Sequence, residues 1–310
     1  MRKKQLLSVP RMKTFNIFQL QRWSIHDGDG IRSTVFFKGC PLRCKWCANP
    51  ESWYQKLEIM VYQKKCTNCK RCLAVCAHGA ITQSASGKLQ FDRDKCAYCQ
   101  KCIAVCVPRA RKQIGETVTL EGVMQMIRKD CIFYQESGGG VTFSGGEPFM
   151  QSSYLRQLVL QCQAMGIDTA VETSAYFDFA ENQDIIANLD AMFIDIKHMD
   201  DEIHHAYTGV HNQKILENII KISKIHQNIT IRVPLIAEVN ASEKNIRAMC
   251  EFLKNETTIK QIELLPYHML GEHKMEALGI VVKEYTTPTE EEIKNLEQMI
   301  EAYDLSVVKF

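Results

Sequence analysis

The chain lacks any apolar run long enough to cross a membrane, which excludes a membrane-spanning role on this reading. It also lacks net charge: 38 Lys and Arg stand against 36 Asp and Glu, leaving +2. No long-range field therefore points to nucleic acid. The first segment, MRKKQLLSVPRMK, is basic but has no apolar core of the kind a secretory leader needs, so an oxidising destination is not expected. Residues 1–12 read as a tail without periodicity. After Cys162 only Cys250 remains, so there is no cysteine-rich C-terminal extension. What is left is ordinary for a soluble globular protein, with 45% apolar and 24% charged residues.

The cysteines are not ordinary: there are 14 in 310 residues. Cys40, Cys44 and Cys47 stand in GCPLRCKWCANP with spacing C-x3-C-x2-C. A 4Fe–4S cluster normally takes four thiolates, so a compact trio leaves one iron open for a substrate. Eight more cysteines fall into two runs of C-x2-C-x2-C-x3-C, Cys66, Cys69, Cys72, Cys76 and Cys96, Cys99, Cys102, Cys106. That is the two-cluster ferredoxin pattern, in which the fourth cysteine of each run serves the other cluster. The expected sets are Cys66, Cys69, Cys72 with Cys106, and Cys96, Cys99, Cys102 with Cys76. Pro usually follows the fourth cysteine; here Ala77 follows Cys76, and Val107 separates Cys106 from Pro108. Disulfides would need an oxidising compartment, and zinc prefers two separated pairs. Cys131, Cys162 and Cys250 read as core thiols.

Outside the cysteine runs, short apolar stretches alternate with helical patterns. Ser33–Phe37, Val141–Phe143, Asp168–Glu172, Ala191–Ile196, Ile229–Ile236 and Gln261–Leu265 read as strands, with a last short one over Leu305–Phe310. Leu120–Lys129, Gln151–Met165, Glu181–Asn188, Lys214–His226, Glu243–Leu253 and Glu290–Ala302 read as helices. About six β-then-α units predict a parallel sheet with helices outside, too few for an eightfold barrel. An incomplete barrel and an open sheet are the options; the expected fold is α/β, an incomplete (β/α)6 TIM-like barrel with an inserted small ferredoxin-like domain carrying two [4Fe–4S] clusters. The core would take 13–59 and 113–310, and the insert 60–112. Sites of such folds lie at the carboxyl ends of the strands.

With these residues in view, the chain resembles the radical S-adenosylmethionine (SAM) superfamily, and within it the glycyl radical enzyme activating enzymes. The resemblance spans residues 13–310 and is carried by IHDGDGIRSTVFFKGCPLRCKWCANPES, SGGGVTFSGGEP, AVETS, FIDIKHMD, IRVPLI and ELLPYHMLGEHK. The ferredoxin insert is similar to that of the larger members; the simplest pyruvate formate-lyase activators lack it. Members mostly read DGPG where this chain has Asp27-Gly28-Asp29-Gly30, so the turn loses the φ that Pro presets.

The resemblance implies that SAM binds the open iron of the cluster held by Cys40, Cys44 and Cys47. Reductive cleavage would give methionine and a 5′-deoxyadenosyl radical that takes hydrogen from a glycine of a partner glycyl radical enzyme. It implies SAM contacts from Trp46, Cys47, Ala48, Gly146, Glu172, Asp195, Ile196, Lys197 and His268. Trp46 is equally readable as a core aromatic. A monovalent cation near Glu172 belongs to the same expectation, although Glu replaces the shorter Asp of some members. Met199–Asn212 resembles a loop that faces the partner. His26 has no assigned role, and the remaining histidines read as surface or local hydrogen-bonding groups. The insert clusters would relay electrons from a flavodoxin or ferredoxin, or be structural. A monomer in an anaerobic cytoplasm, without nucleic acid or membrane, is expected. Two alternatives stand beside this reading: a plain iron–sulfur electron-transfer protein, and a radical SAM enzyme acting on another substrate.

Overall fold

The computed structural model describes residues 14–310; the tail expected over 1–12 lies outside them. β1 (Thr14–Ser24) and β2 (Arg32–Phe37) form an antiparallel pair. The cysteine trio follows β2 directly. The chain then makes β3 (Glu58–Val61), α1 (Arg71–Ala74), β4 (Ile81–Gln83), β5 (Leu89–Phe91), α2 (Lys101–Ala104) and β6 (Arg111–Ile114). It returns as β7 (Glu116–Thr119), antiparallel to β1, and continues through α3 (Leu120–Arg128) and α4 (Cys131–Ser137). From there strands and helices alternate: β8 (Gly140–Gly145), α5 (Ser152–Ala164), β9 (Asp168–Thr173), α6 (Gln183–Asn188) and β10 (Ala191–Asp195). After α7 (Asp201–Thr208) and α8 (Gln213–Ser223) come β11 (Ile229–Leu235), α9 (Glu243–Glu256), β12 (Gln261–Pro266), α10 (Glu272–Leu278), α11 (Glu290–Glu301) and β13 (Ser306–Val307).

The main sheet has nine strands in the order β13-β12-β11-β10-β9-β8-β2-β1-β7. Every pairing from β2 through β13 is parallel. The six expected strands are there as β2 and β8–β12, and β1 and β7 extend the sheet at one edge, where no strand was expected. Strands buried on both faces read as apolar runs. That is why β8 and β10 were visible in sequence, and why the half-exposed, polar-spaced β1 (TFNIFQLQRWS) was not. On the helices the apolar positions recur at helical spacing, as Ile215, Ile219 and Ile222 do on α8, and face the common core. Hydroxyl and carboxylate caps set helix starts: Thr119 for α3, Asp200 for α7, Ser242 for α9, and a capping box of Thr289 and Glu292 for α11.

Residues 58–114 form a unit of their own make-up. β3 pairs with β6, β4 with β5, and Ile59, Val61, Cys72, Ile81, Leu89 and Cys102 make a separate apolar cluster. The β3–β6 sheet begins two residues before, and ends two residues after, the 60–112 expected from composition. Among the described residues no helix is long and apolar enough to cross a membrane.

Candidate functional site

Residues from opposite parts of the main sheet meet in one cavity of about 420 Å³. The loop after β2 brings Cys40, Cys44 and Cys47; the end of β12 brings Pro266, Tyr267 and His268. For these to line one space the sheet must curl, with strand carboxyl ends gathered at its mouth.

The cysteine loop is held on several sides. Gly39 N–H donates to the Ser52 carbonyl (2.6 Å) and Cys40 N–H to that of Trp53 (3.1 Å). Arg43 and Lys45 N–H donate to the Thr208 and Tyr207 carbonyls at the end of α7 (2.7 and 3.0 Å). The Lys274 ammonium, from α10, donates to the Ala48 carbonyl (3.0 Å) and Asn49 Oδ1 (2.9 Å) and pairs with Glu51 (2.7 Å). Gly271 lies so close that a Cβ there would sit 2.1 Å from the Cys47 carbonyl oxygen. Burial pushes the Cys40 thiol well up, that of Cys44 to about 12, and that of Cys47 up as well.

Next to the trio is the Ser144–Glu147 turn at the end of β8. Gly145 has φ +114°, and a Cβ on Gly146 would lie 2.2 Å from the Gly39 carbonyl oxygen, so only glycine lets the two loops touch. Glu147 is fully buried and ties this turn to β9: its carboxylate accepts from Thr173 Oγ (2.8 Å), Ser174 N–H (2.9 Å) and Ser174 Oγ (2.6 Å).

Of the expected contact residues, Trp46, Cys47, Ala48, Gly146, Glu172, Asp195, Lys197 and His268 all line the cavity. Ile196 does not. Its side chain lies in the main apolar core, because successive side chains of an extended segment point to opposite sides and Asp195 and Lys197 take the cavity side. Trp46 does both things left open for it: it lines the cavity and packs against Tyr207 (5.8 Å between centroids) and Tyr285 (6.2 Å).

The Lys197 and Arg232 cations inside are paired within the chain. Lys197 Nζ lies 2.8 Å from Asp195. Burial works against the Lys197 ammonium, but the Asp195 carboxylate together with Cys44 and Cys47 more than offsets it and holds the proton on. Arg232 on β11 pairs with Glu172 on β9 and, at 2.6 Å, with Glu263 on β12, and its guanidinium lies 4.0 Å from the centre of the Phe193 ring. Glu172 also accepts from Ser144 Oγ, so both its oxygens are engaged; burial still pushes its carboxyl up.

Arg232, Ser144, Asn49 and Asp27 were not picked out from sequence, and His26, given no role there, also lines the cavity. Arg232 had a signal, a charge inside the apolar strand ITIRVPLI. Asp27 accepts from Ser24 Oγ (2.6 Å) and Thr34 Oγ (2.5 Å), and its carbonyl accepts from Thr142 Oγ (2.7 Å). The DGDG turn is thus held by hydroxyls where Pro is missing. His198, His204 and His226 are buried and hydrogen-bonded locally.

In the unit over 58–114 the eight cysteines divide between two small cavities. Cys66, Cys69, Cys72 and Cys106 line one, and Cys76, Cys96, Cys99 and Cys102 the other. Each cavity thus takes three cysteines from one run and the last from the other. Cys69 and Cys99 are the exposed members.

Three comparisons bear on this geometry. A family model described as "4Fe-4S single cluster domain" matches residues 26–216. The chain is 43% identical over 273 residues to the (2S)-3-sulfopropanediol dehydratase activating enzyme of Klebsiella oxytoca, covering 86% of each chain. It is 42% identical over 292 residues to the trans-4-hydroxy-L-proline dehydratase activating enzyme of Clostridioides difficile, covering 92% of this chain and 96% of that one. Its fold is similar to a radical SAM methyltransferase from Sphaerobacter thermophilus, with TM-score 0.52 and 13% identity over 89% of this chain and 65% of that one.

Proposed function

The chain belongs to the glycyl radical enzyme activating enzymes of the radical SAM superfamily, and on that premise we propose that Cys40, Cys44 and Cys47 hold the [4Fe–4S] cluster at which SAM is cleaved. When bound, the cluster and SAM would supply the one-electron radical chemistry by which a hydrogen is taken from a glycine of the partner enzyme. The protein is an activase; its own residues bind, orient and shield.

The observation that carries the residue roles is the convergence of the trio with Gly146, Glu172, Asp195, Lys197 and His268 on one cavity at the strand ends. The site's chemistry fits the cluster. Three thiols line one space with no fourth cysteine beside them, and burial disfavours their bare thiolates, a cost that bound iron offsets. The Gly146 backbone receives the SAM ammonium group, and the missing side chain lets its turn lie against Gly39 beside the trio. Lys197 faces the SAM carboxylate or ribose, and Asp195 keeps it protonated. Trp46, Ala48 and His268 flank the adenine end. Arg232 fixes Glu172 and Glu263 on either side. A monovalent cation fits Glu172 less well, since Arg232 already supplies the counter-charge and both carboxylate oxygens are engaged.

The grouping of the eight cysteines over 66–106 fits two further [4Fe–4S] clusters in a ferredoxin-type insert. These would pass electrons from a low-potential donor toward the SAM site. The proposed partner is a glycyl radical enzyme of the dehydratase, lyase or decarboxylase kind, and the proposed setting an anaerobic cytoplasm, because Cys69 and Cys99 leave cluster edges open to oxygen. The test is anaerobic: reconstituted, reduced protein mixed with SAM should yield 5′-deoxyadenosine, and none at all would sink the reading.

A further inference from the structure

We propose that the basic face around Cys66, Cys69, Cys72 and Cys106 docks an acidic, low-potential one-electron carrier protein. The proposal rests on the reading that these cysteines hold a cluster.

Charge is the first observation. Residues 60–112 contain eleven Lys and Arg and only two Asp and Glu, a net of +9, which leaves −7 for the rest of a chain whose total is +2. Nine of the eleven cations are exposed. The insert thus carries a surplus of positive charge on its surface, opposite in sign to the rest of the chain, where it steers an oppositely charged partner.

The charge is also uneven within the insert. Both acids, Asp92 and Asp94, precede the second run, and Asp92 is paired with Lys95 at 3.0 Å. Lys64, Lys65, Lys70, Arg71 and Arg109 flank the cysteines of the first cavity, with no acid among them. Lys88 joins them, because Asn68 Nδ2 donates to the Gly87 carbonyl (2.9 Å) and seats the β4–β5 hairpin against the first run.

Position is the second observation. β3 follows the cysteine loop, starting at Glu58, five residues beyond Trp53, whose carbonyl holds Cys40 N–H (3.1 Å). Lys56 sits 5.3 Å from the ring centre of Tyr98, in the second run. Further along, Ile59 lines the cavity of Cys76, Cys96, Cys99 and Cys102, and Val61 lines that of Cys66, Cys69, Cys72 and Cys106. Two residues of extended chain are about 7 Å. The first cavity is therefore the outer one, and its Cys69 is exposed in the middle of the basic face. An incoming carrier is drawn to the end of the molecule farther from SAM, where its approach does not compete with the partner enzyme at the cavity mouth.

The test uses the reconstituted holoprotein and a reduced flavodoxin as probe. Affinity should fall steeply as salt rises. The variant Lys64→Glu/Lys70→Glu/Lys88→Glu should bind flavodoxin at least ~10-fold more weakly and lose most of the salt dependence. Its iron content, and 5′-deoxyadenosine formation driven by photoreduced deazaflavin, should stay at the wild-type level. Lys254→Glu, on α9, serves as the charge control and should bind normally. An unchanged affinity and salt slope in the triple variant overturns the proposal. So does salt-dependent binding of the partner enzyme or of nucleic acid to this face with flavodoxin unbound. A Cys72→Ala protein separates docking from the cluster reading. If it binds flavodoxin normally and flavodoxin still drives SAM cleavage at the wild-type rate, the relay is wrong and the docking face stands.

Discussion

The two cysteine-bearing regions solve opposite problems. Around Cys40, Cys44 and Cys47 the protein closes in: backbone bonds from α7, the Lys274 ammonium and Gly271 hold the loop, and every cation in the cavity has its carboxylate. Around the other eight cysteines it opens out, with helices of four residues, exposed Cys69 and Cys99, and surplus positive charge. A site that makes a radical must exclude water and fix its ligand, because a loose radical attacks whatever is near. A site that receives an electron from another protein, the role proposed for the insert, must be reachable. The contrast predicts that damage to the first region stops chemistry and damage to the second changes only where electrons come from.

The largest expected effect breaks the comparison outright if it fails. Cys44→Ala should lower SAM cleavage by at least ~1,000-fold, about 4 kcal/mol of barrier, and leave the insert's iron. Cys72→Ala should do the reverse: iron falls from the ~12 of three cubanes while deazaflavin-driven 5′-deoxyadenosine formation persists. Equal loss in both would mean that the regions act as one unit.

Next is Arg232→Met. It leaves Glu172 and Glu263 without their cation, both largely buried, and should destabilise the core by about 3 kcal/mol. Adding Glu263→Gln should recover part of the loss, which a merely cavity-forming change would not do. Denaturant midpoints read both, and the insert's visible absorbance should stay as in the wild type.

The parts legible in sequence were those whose physics is local. Cysteine spacing announced three groups, and buried parallel strands announced themselves as apolar runs. What escaped depends on register and on what lies across space. Arg232 matters because parallel pairing sets it beside Asp195 on one side and Glu263 on the other, and no spacing along the chain encodes that. β1 and β7 escaped because antiparallel strands partly exposed to solvent carry polar residues among the apolar ones. α7 (DEIHHAYT) and α10 (EHKMEAL) are short and charged, so their patterns were too weak to separate from loops. Ile196 was expected at the site because its neighbours belong there; the alternation of the extended chain turns it away.

Glycines sharpen the comparison at smaller scale. Gly146→Ala forces a Cβ against a backbone carbonyl at 2.2 Å, a contact that cannot yield cheaply. Overpacking of that kind costs about 1–3 kcal/mol, which should weaken SAM binding roughly ten- to a hundredfold in an equilibrium titration. Gly79→Ala, in the insert, meets no atom within 4 Å and carries only the left-handed strain of φ +62°, about 1–2 kcal/mol. It should leave SAM affinity as it was. A like loss in both would show that the cavity's tolerance is set by global stability and not by the contact at Gly39.

The smallest expected effect follows from the charge balance itself. If Arg232 supplies the counter-charge of Glu172, that carboxylate needs no cation from solution. Exchanging potassium for sodium, or for tetramethylammonium at equal ionic strength, should change deazaflavin-driven SAM cleavage by less than about twofold, because no ion leaves the site and the interior pairs are screened little by salt. Flavodoxin-driven cleavage should respond to total salt in all three cases, because it depends on exposed charge. In the Arg232→Met background the ions should separate, with potassium or sodium restoring activity that tetramethylammonium, too large and too weakly coordinating, does not. A tenfold preference for one ion in the unaltered protein would place a cation at Glu172 after all and undo the contrast between a cavity whose cations are paired and an insert whose cations are exposed.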